Sequence, residues 1–402
     1  MLIRDPSLRE VYIVEGVRTP VGKFGRSLKD YTAVDLASFT MRKLIERSNV
    51  NPENIDFIVM GQVIRAGTGM NTARQAALKA GIPKHVDAMN VDMVCASSMA
   101  AIATGAAYIA SGSYDVVVAG GMESMSNAPF ILPSRHRWGV RHLILEKGKG
   151  EVLDAMVHDG LLDPILGYGM GEEADMTARK YGAPREELDW IAFESHRRAL
   201  EAWKRGHMAR YVEPFKVDGK TILGFDEGVR ADIKLEDLKV LQPVFTREGP
   251  HTTATSSQLS DGAAVVLLAS REAVRSLGLE PKARIVGHSY VALDTWEFPL
   301  APVYAIKKLL EKVGWSVDKV DYWENNEAFA VNSFLINRLL EIPYDRLNVH
   351  GGAIAIGHPI GASGARITIE LVNILETRGG LRGVASICHG LGGAAALALE
   401  LV

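Results

Sequence analysis

The most informative segment of the sequence is Gly351-Gly352-Ala353-Ile354-Ala355-Ile356-Gly357-His358-Pro359-Ile360-Gly361-Ala362-Ser363-Gly364, which leads into an apolar helical pattern. Glycine lets backbone segments approach closely, so five glycines around one imidazole predict a tight loop that presents His358 rather than burying it. Pro359 then sets the entry into the following helix. The alternative is a plain turn with an incidental histidine, which the density of glycine disfavours.

A weak internal repeat extends outward from this loop. Each half of the chain has a chemically distinctive residue, a helix of small residues, a glycine turn and an apolar strand. The parts are Cys95, Ala96–Ala110 and Val116–Ala119 with Gly120-Gly121 in the first half, and His358, Ser363–Glu376, Gly379-Gly380, Val384–Ile387 and Cys388–Gly393 in the second. Two halves related by a pseudo-twofold axis would bring the two helix N-termini together at one site.

The same alternation indicates the fold class. Unbroken apolar strands between helical segments predict a mostly parallel sheet covered by helices on both faces, with Val116–Ala119 ending at the glycine pair. Residues 122–249 are rich in charges, Gly and Pro and hold one clear helical stretch, Arg185–Arg205. We therefore predict an N-terminal half at 1–121, completed by about 250–272, an inserted loop domain at 122–249, and a C-terminal half at 273–402.

Composition excludes several function classes. The chain has 402 residues, 47% of them hydrophobic and 23% charged, with a net charge of −3. That is typical of an ordinary globular protein and gives no general attraction to nucleic acid or acidic membranes. The most apolar stretch, Val91–Ala110, is interrupted by Asp92, so we expect a buried helix rather than a membrane span.

The cysteine content points to a reducing compartment. With only Cys95 and Cys388, a disulfide framework or a structural zinc site is not expected. Met1–Glu10 lacks the apolar core of a secretory signal. We expect reduced thiols and a cytoplasmic protein.

Cys95 is the first candidate for chemistry. A helix N-terminus offers free N–H groups and a positive dipole end, which stabilise a thiolate and can bind an oxyanion. The alternative is a structural cysteine buried among small residues.

Two further blocks offer partners for such a nucleophile. Cys388 directly follows a strand and precedes glycines whose N–H groups could form another oxyanion site; alternatively it is a buried thiol. Asn326 follows Val320–Trp323 and either orients a water or caps the next helix. A thiolate nucleophile needs a base such as His358, and a second thiol could shuttle protons.

With these blocks in this order, the chain resembles the thiolase family over nearly its whole length. Further segments carry the resemblance: Val11–Val14, Arg18–Gly25, Gly61–Val63, Asn71–Gln75 and Gly120–Ser126. The resemblance implies a five-layered α/β/α/β/α fold built from two similar halves with an inserted loop domain that binds coenzyme A.

The resemblance also implies a role for each site residue. Cys95 would be the acylated nucleophile, activated by His358, which forms a first oxyanion hole with a water held by Asn326. Cys388 would be the general acid/base. The backbone N–H groups of Cys95 and Gly390 would form a second oxyanion hole. The residues implied to contact coenzyme A are Arg230 and Ser257.

The implied activity is that of an acetyl-CoA C-acetyltransferase, which condenses two acetyl-CoA to acetoacetyl-CoA and coenzyme A, or reverses that reaction, by a ping-pong mechanism. No permanent cofactor or metal is expected, and the family suggests a homotetramer or homodimer. Alternatives are a 3-ketoacyl-CoA thiolase of broader chain length and a non-catalytic acyl-CoA-binding scaffold. A β-ketoacyl synthase is disfavoured by Cys388. Asp92, Gly169 and Phe298 depart from the usual family pattern.

Overall fold

The computed structural model describes residues 8–138 and 152–402. The strands are β1 Val11–Arg18, β2 Gly22–Lys23, β3 Phe57–Gly61, β4 Asp87–Val91, β5 Val116–Ser124, β6 Phe130–Ile131, β7 Leu153–Asp154, β8 Phe215–Val217, β9 Lys220–Leu223, β10 Ser260–Ser270, β11 Ala283–Ala292, β12 Tyr322–Asn325, β13 Arg382–His389 and β14 Gly393–Leu401. The helices are α1 Ala33–Ser48, α2 Thr72–Ala80, α3 Ser97–Ala110, α4 Ala155–Gly160, α5 Met170–Lys180, α6 Arg185–Lys204, α7 Leu235–Lys239, α8 Arg271–Ser276, α9 Ala301–Val313, α10 Ala330–Leu340, α11 Ala353–Ile356 and α12 Ser363–Arg378.

Two half-sheets form the body of the molecule. The N-terminal half has the strand order β4-β3-β5-β10-β1, and the C-terminal half has the order β11-β14-β13-β12. Residues Val11–Ile13 of β1 pair with Ala283–Ile285 of β11 and join the two halves edge to edge. The long strand β10 follows the inserted residues in the sequence, and it completes the N-terminal half-sheet by lying between β5 and β1.

The expectation of a mostly parallel sheet was wrong. Strand β3 runs parallel to β4 and β5, and β12 runs parallel to β13, but the other pairings along the path are antiparallel. The reason is that the chain returns through β10 between β1 and β5, and that β13 and β14 form a hairpin. Apolar strands buried on both faces therefore occur here in antiparallel pairs.

Helices cover both half-sheets and also lie between them. Helices α3 and α12 pack between the halves, α1 and α2 cover the N-terminal half, and α9 and α10 cover the C-terminal half. Strand β10 shows the layering: Val266 and Leu268 belong to the core around α3 and α12, whereas Val265 and Leu267 belong to the core around α1. The predicted five-layered arrangement is confirmed.

The N-termini of α3 and α12 meet, as the internal repeat predicted. The backbone N–H of Ala365 donates to the Oγ of Ser98 at 2.9 Å. A Cβ added at Gly364 would lie 2.5 Å from the backbone nitrogen of Met99, so only glycine allows the two helices to approach this closely. Two helix N-termini therefore lie side by side in the centre of the molecule.

Strand β5 does not end at its glycine pair. It continues through Gly120-Gly121 to Ser124, because these glycines serve close approach of neighbouring backbone rather than a turn. Gly120 lies against the carbonyl of Ala264, and Gly121 lies against that of Gly361.

The three-part domain division stays a prediction. In the described residues no helix is long and apolar enough to cross a membrane.

We expect Gly364→Ala to lower the free energy of unfolding by up to about 2 kcal/mol. Overpacking against Met99 costs about 1–3 kcal/mol, and the better helix propensity of alanine offsets about 1 kcal/mol of it. The measurement is urea unfolding. Gly224→Ala is the control, because an added Cβ there meets only one side-chain atom, at 3.8 Å. Equal stability of the two variants would contradict tight α3–α12 packing.

Candidate active site

Cys95 lies on a strained turn just before α3. The preceding residue, Val94, has φ +45°, which is rare for a β-branched side chain. Two side chains hold the turn: Asp92 accepts from the Val94 N–H at 3.0 Å, and the Ser97 hydroxyl donates to the Val94 carbonyl at 2.6 Å. Ser97 Oγ also accepts from the N–H of Met93 at 2.9 Å. Asp92, a departure from the family pattern, thus helps to fix the nucleophile candidate.

The surroundings of Cys95 do not favour a thiolate in the free protein. Burial raises the pKa of the Cys95 thiol to about 12, and the charges of Glu123 and Asp92 act in the same direction. The backbone N–H groups of Gly390 and of Cys95 itself reach the sulfur and oppose this shift, but burial outweighs them. The N–H groups at the start of the helix thus favour the thiolate, as expected, but burial outweighs them, and the thiol needs a base.

His358 supplies a neutral imidazole. Its Nδ1 lies 2.6 Å from the Oγ of Ser363, and that hydroxyl donates its proton to the carbonyl of Pro359 at 2.9 Å. Nδ1 is therefore the protonated nitrogen, and Nε2 carries the free lone pair. Burial, with a smaller contribution from Arg366, lowers the pKa of His358 to about 3, so the ring is uncharged at neutral pH.

The prediction that the glycine-rich loop exposes His358 was wrong. The side chain is only 6% exposed. Its backbone N–H donates to the carbonyl of Gln258 at 3.2 Å and to the Oγ of Ser260 at 3.1 Å, so the loop lies against the segment leading into β10. The glycines serve close packing rather than presentation.

Asn326 lies directly against the imidazole. Its Nδ2 is 3.4 Å from Nε2 of His358, and its Oδ1 accepts from Nη2 of Arg366 at 3.2 Å. The alternative that Asn326 caps the next helix is excluded, because α10 begins at Ala330 and Asn332 bonds the backbone of Phe329 there. The amide is therefore committed to the site.

Cys388 approaches from the C-terminal half. It is fully buried near the end of β13, and Asn332 Nδ2 lies 3.4 Å from its sulfur. Burial raises the pKa of Cys388, and a negative charge on Cys95 raises it further, so the two thiols lie within electrostatic reach. Two residues on, Gly390 is followed by Leu391 with φ +66°. The backbone therefore bends sharply close to each cysteine, at Val94 before Cys95 and at Leu391 after Cys388.

Glu123 is a residue that sequence reasoning left without a role. Its buried carboxylate accepts the N–H groups of Val63 at 3.0 Å, Ile64 at 3.3 Å and Gly361 at 3.0 Å. It thereby ties β5 to the segment after β3 and to the loop that carries His358. Burial raises its pKa to about 8. The sequence did contain a sign of its importance, because Glu123 is the one charged residue in strand β5. For Ser363 and Asn332, the sequence contained no comparable sign of a role in the site.

The two residues expected to contact coenzyme A lie on segments beside the His358 loop. Arg230 is exposed, and its backbone N–H donates to Nδ1 of the buried His196 at 3.1 Å. Ser257 is partly exposed, and its N–H donates to the carbonyl of Ala328 at 2.9 Å. Gln258 connects the two regions: its Nε2 lies 3.3 Å from the Gly228 carbonyl, and its own carbonyl accepts from His358.

Comparison with known proteins identifies the family. Residues 11–272 match the thiolase N-terminal domain, and residues 279–401 match the thiolase C-terminal domain. The chain belongs to the thiolase family. An acetyl-CoA acetyltransferase of Synechocystis sp. is 44% identical over 98% of this chain and 100% of its own length. One of Pseudomonas aeruginosa is 40% identical over 98% of this chain and 99% of its own length.

Solved thiolase structures agree. The crystal structure of the Bacillus anthracis acetyl-CoA acetyltransferase superposes with a TM-score of 0.93 at 39% identity, covering 98% of this chain and 99% of that one. A thiolase of Ascaris suum in complex with coenzyme A superposes with a TM-score of 0.90 at 38% identity, covering 98% of this chain and all of that one. The predicted thiolase fold and acyltransferase class are confirmed.

Two departures from the thiolase pattern flank the site. Gly169 precedes α5, and its N–H donates to the carboxylate of Glu172 at 2.7 Å. The next residue, Met170, places its sulfur 3.4 Å from the position that a Cβ on Gly390 would take. Phe298 is 2% exposed and packs edge-on against Phe329, with ring centroids 6.1 Å apart. Gly169 thus lies on the Gly390 side of the thiolase site.

We expect alkylation of Cys95 by iodoacetamide in the free enzyme to become faster up to at least pH 10. Because burial raises the thiol pKa to about 12, the thiolate fraction still grows where a free thiol has levelled off above about 8.5. Peptide mass spectrometry resolves Cys95 from Cys388, and glutathione is the control. A plateau for Cys95 below pH 8 would mean an ionised resting nucleophile.

Proposed function

We propose that this thiolase is an acetyl-CoA C-acetyltransferase, which condenses two acetyl-CoA to acetoacetyl-CoA and coenzyme A, or cleaves acetoacetyl-CoA with coenzyme A. The observations that carry the proposal are the second buried thiol and the two backbone N–H groups close to the Cys95 thiol, and a neutral imidazole with a free Nε2 on the loop before α12, whose N-terminus meets that of α3. The relatives at 40–44% identity bear the name acetyl-CoA acetyltransferase. Their name supports acetyl as the transferred group.

In the first half-reaction His358 accepts the Cys95 proton at Nε2 as the sulfur attacks the thioester carbonyl. Coenzyme A then leaves, taking its proton from the Cys388 thiol, and Cys95 carries the acetyl group. A thiolate suits this step because it is both a good nucleophile and a good leaving group. Burial raises the pKa of both thiols, so the protons move only when substrate is present.

In the second half-reaction the Cys388 thiolate removes a proton from the methyl group of a second acetyl-CoA. The resulting carbanion attacks the acetyl carbon on Cys95, a carbon–carbon bond forms, and the Cys95–acetyl bond breaks. The imidazolium of His358 returns its proton to Cys95. Each residue recovers its starting state, so the cycle balances without an external acid or base.

Two oxyanion holes are assigned. The N–H groups of Cys95 and Gly390 would stabilise one tetrahedral oxyanion, since both already reach the reacting sulfur. His358, with a water held by Asn326, would stabilise the other. Arg230 and Ser257 would bind coenzyme A, and neither a permanent cofactor nor a metal is invoked.

Self-association and a cytoplasmic location complete the proposal. Strand β4 is the outer strand of the N-terminal half-sheet, and Met70 and Phe130 are 90% and 73% exposed. An open strand edge and exposed apolar side chains favour pairing with a second copy of the chain, as a homodimer or homotetramer. Both cysteines are free thiols, which suits a reducing compartment.

We expect acetyl-CoA alone to acetylate the protein on Cys95, and Cys95→Ala to remove both the adduct and the activity. Intact-mass and peptide mass spectrometry measure the adduct. Cys388→Ser is the matched variant: it should still form the adduct, while its turnover falls by about 10²–10⁴, the usual contribution of a positioned acid or base. An acetyl group carried by another residue, or equal losses of acylation and turnover in Cys388→Ser, would contradict these roles.

We expect Arg230→Ala to raise KM for acetyl-CoA about 10- to 150-fold while kcat stays nearly constant. A lost hydrogen bond to a charged group costs about 1.5–3 kcal/mol, and binding at the distant end of coenzyme A is equal in ground and transition states. Steady-state kinetics measures both constants. Arg271→Ala, an exposed arginine on α8, is the control. An unchanged KM in Arg230→Ala would place coenzyme A elsewhere.

We expect short chains to be preferred, with acetoacetyl-CoA the best substrate for thiolysis. Phe298 is fixed in an aromatic cluster, and the carbonyl of the next residue, Pro299, accepts from the same Asn332 amide that contacts Cys388. The ring of Phe298 would therefore occupy space beside the acyl group. The measurement is kcat/KM for C4 to C10 3-ketoacyl-CoAs. A steady rise with length, about 0.8 kcal/mol for each buried methylene, would show an open pocket.

A further inference from the structure

Helix α12 contacts two parts of the catalytic group from one face. Ser363 and Arg366 lie three residues apart, so their side chains are neighbours on the helix surface. Ser363 fixes the tautomer of His358, as described above. Arg366 reaches past the ring, and its Nη2 donates to Oδ1 of Asn326 at 3.2 Å. One rigid helix thereby touches both the imidazole and the amide that lies against it.

The charge pair behind Asn326 is unusual. Arg366 is 1% exposed, and its Nη1 lies 3.9 Å from Oε1 of Glu324, which is fully buried. Among the described residues neither oxygen of Glu324 has a hydrogen-bond partner, and neither do Nε and Nη1 of Arg366. A buried ion pair with such loose geometry is a poor source of stability, because desolvation is incompletely compensated. Packing alone therefore does not account for this arginine.

The orientation of the Asn326 amide gives Arg366 a purpose. If the amide were flipped, Oδ1 would face the lone pair of Nε2 on His358, and the two acceptors would repel each other. With Oδ1 taken by the guanidinium, the N–H bonds of Nδ2 remain on the imidazole side, where Nδ2 lies 3.4 Å from Nε2 and 3.5 Å from Nδ1 of His358. A positive charge on the oxygen side also polarises those N–H bonds toward an oxyanion.

We propose that Arg366 is a positioning residue that holds and polarises the Asn326 amide for oxyanion stabilisation. This inference rests on the proposed acetyl transfer. Arg366 touches no reacting atom; it acts through Asn326. Its contribution must therefore disappear when the Asn326 amide is removed, which a purely structural arginine would not show.

The test is a double-mutant cycle of Arg366→Met and Asn326→Ala, read as kcat and KM for acetoacetyl-CoA thiolysis. In the wild-type background we expect Arg366→Met to lower kcat about 10- to 100-fold, less than the 10²–10³ typical for removing an oxyanion donor itself, with KM within about twofold. In the Asn326→Ala background we expect Arg366→Met to change kcat by less than about twofold.

Two further variants keep the test decisive if Arg366→Met folds poorly. Glu324→Leu with Arg366→Met replaces both buried polar side chains and leaves an apolar interior, so it should fold and show the same cycle. Arg366→Lys keeps the charge and should recover part of kcat. Arg185→Met is the control, since Arg185 bonds Asp189 and two backbone carbonyls away from the site, and its effect should be equal in both backgrounds.

The outcomes separate the inference from the function beneath it. Loss of the Arg366 effect in the Asn326→Ala background supports positioning through the amide. An equal loss of kcat in both backgrounds, or wild-type kcat in the well-folded Glu324→Leu, Arg366→Met protein, overturns it. If the wild-type protein forms no acetyl adduct on Cys95, the proposed function fails instead, and that result is read before any variant is made.

Discussion

The N-termini of α3 and α12 lie in close contact, and this contact fixes how the two halves of the molecule are arranged. Gly364 lets the two helices touch through backbone, and Gly361 donates its N–H to the buried carboxylate of Glu123. This contact joins two halves of the chain that are far apart in sequence. Because Cys95 precedes one helix and His358 precedes the other, any separation of the helices would separate the proposed nucleophile from its proposed base.

Burial decides the electrostatics of the site. Water exclusion raises the pKa of the Cys95 and Cys388 thiols and lowers that of the His358 imidazole, so all three groups are uncharged at rest. Uncharged thiols at rest resist unwanted oxidation and alkylation, which need a thiolate. Proton transfer then depends on the substrate, because the oxyanion that develops on it is the charge that the buried N–H groups would stabilise.

Two sequence-based predictions failed because glycine in a sequence can indicate either a turn or close packing. The loop around His358 was expected to present the ring, and Gly120-Gly121 was expected to end a strand. In both places glycine instead serves close packing of neighbouring backbone. Composition also could not distinguish parallel from antiparallel strands, because β10 is buried on both faces regardless of the direction of its neighbours. The local sequence pattern indicates that a strand is buried, but burial does not indicate whether its neighbouring strands run parallel or antiparallel to it.

The layers, the two related halves and the candidate residues Cys95, His358, Asn326 and Cys388 could be predicted from the sequence, because periodicity and short motifs are local features. The protonation of these groups and the contacts of Glu123 and Arg366 could be read only from the folded protein, since desolvation depends on every atom packed around a side chain. A pKa and a hydrogen-bond partner from a distant helix are properties of the packed interior, which no local stretch of sequence contains.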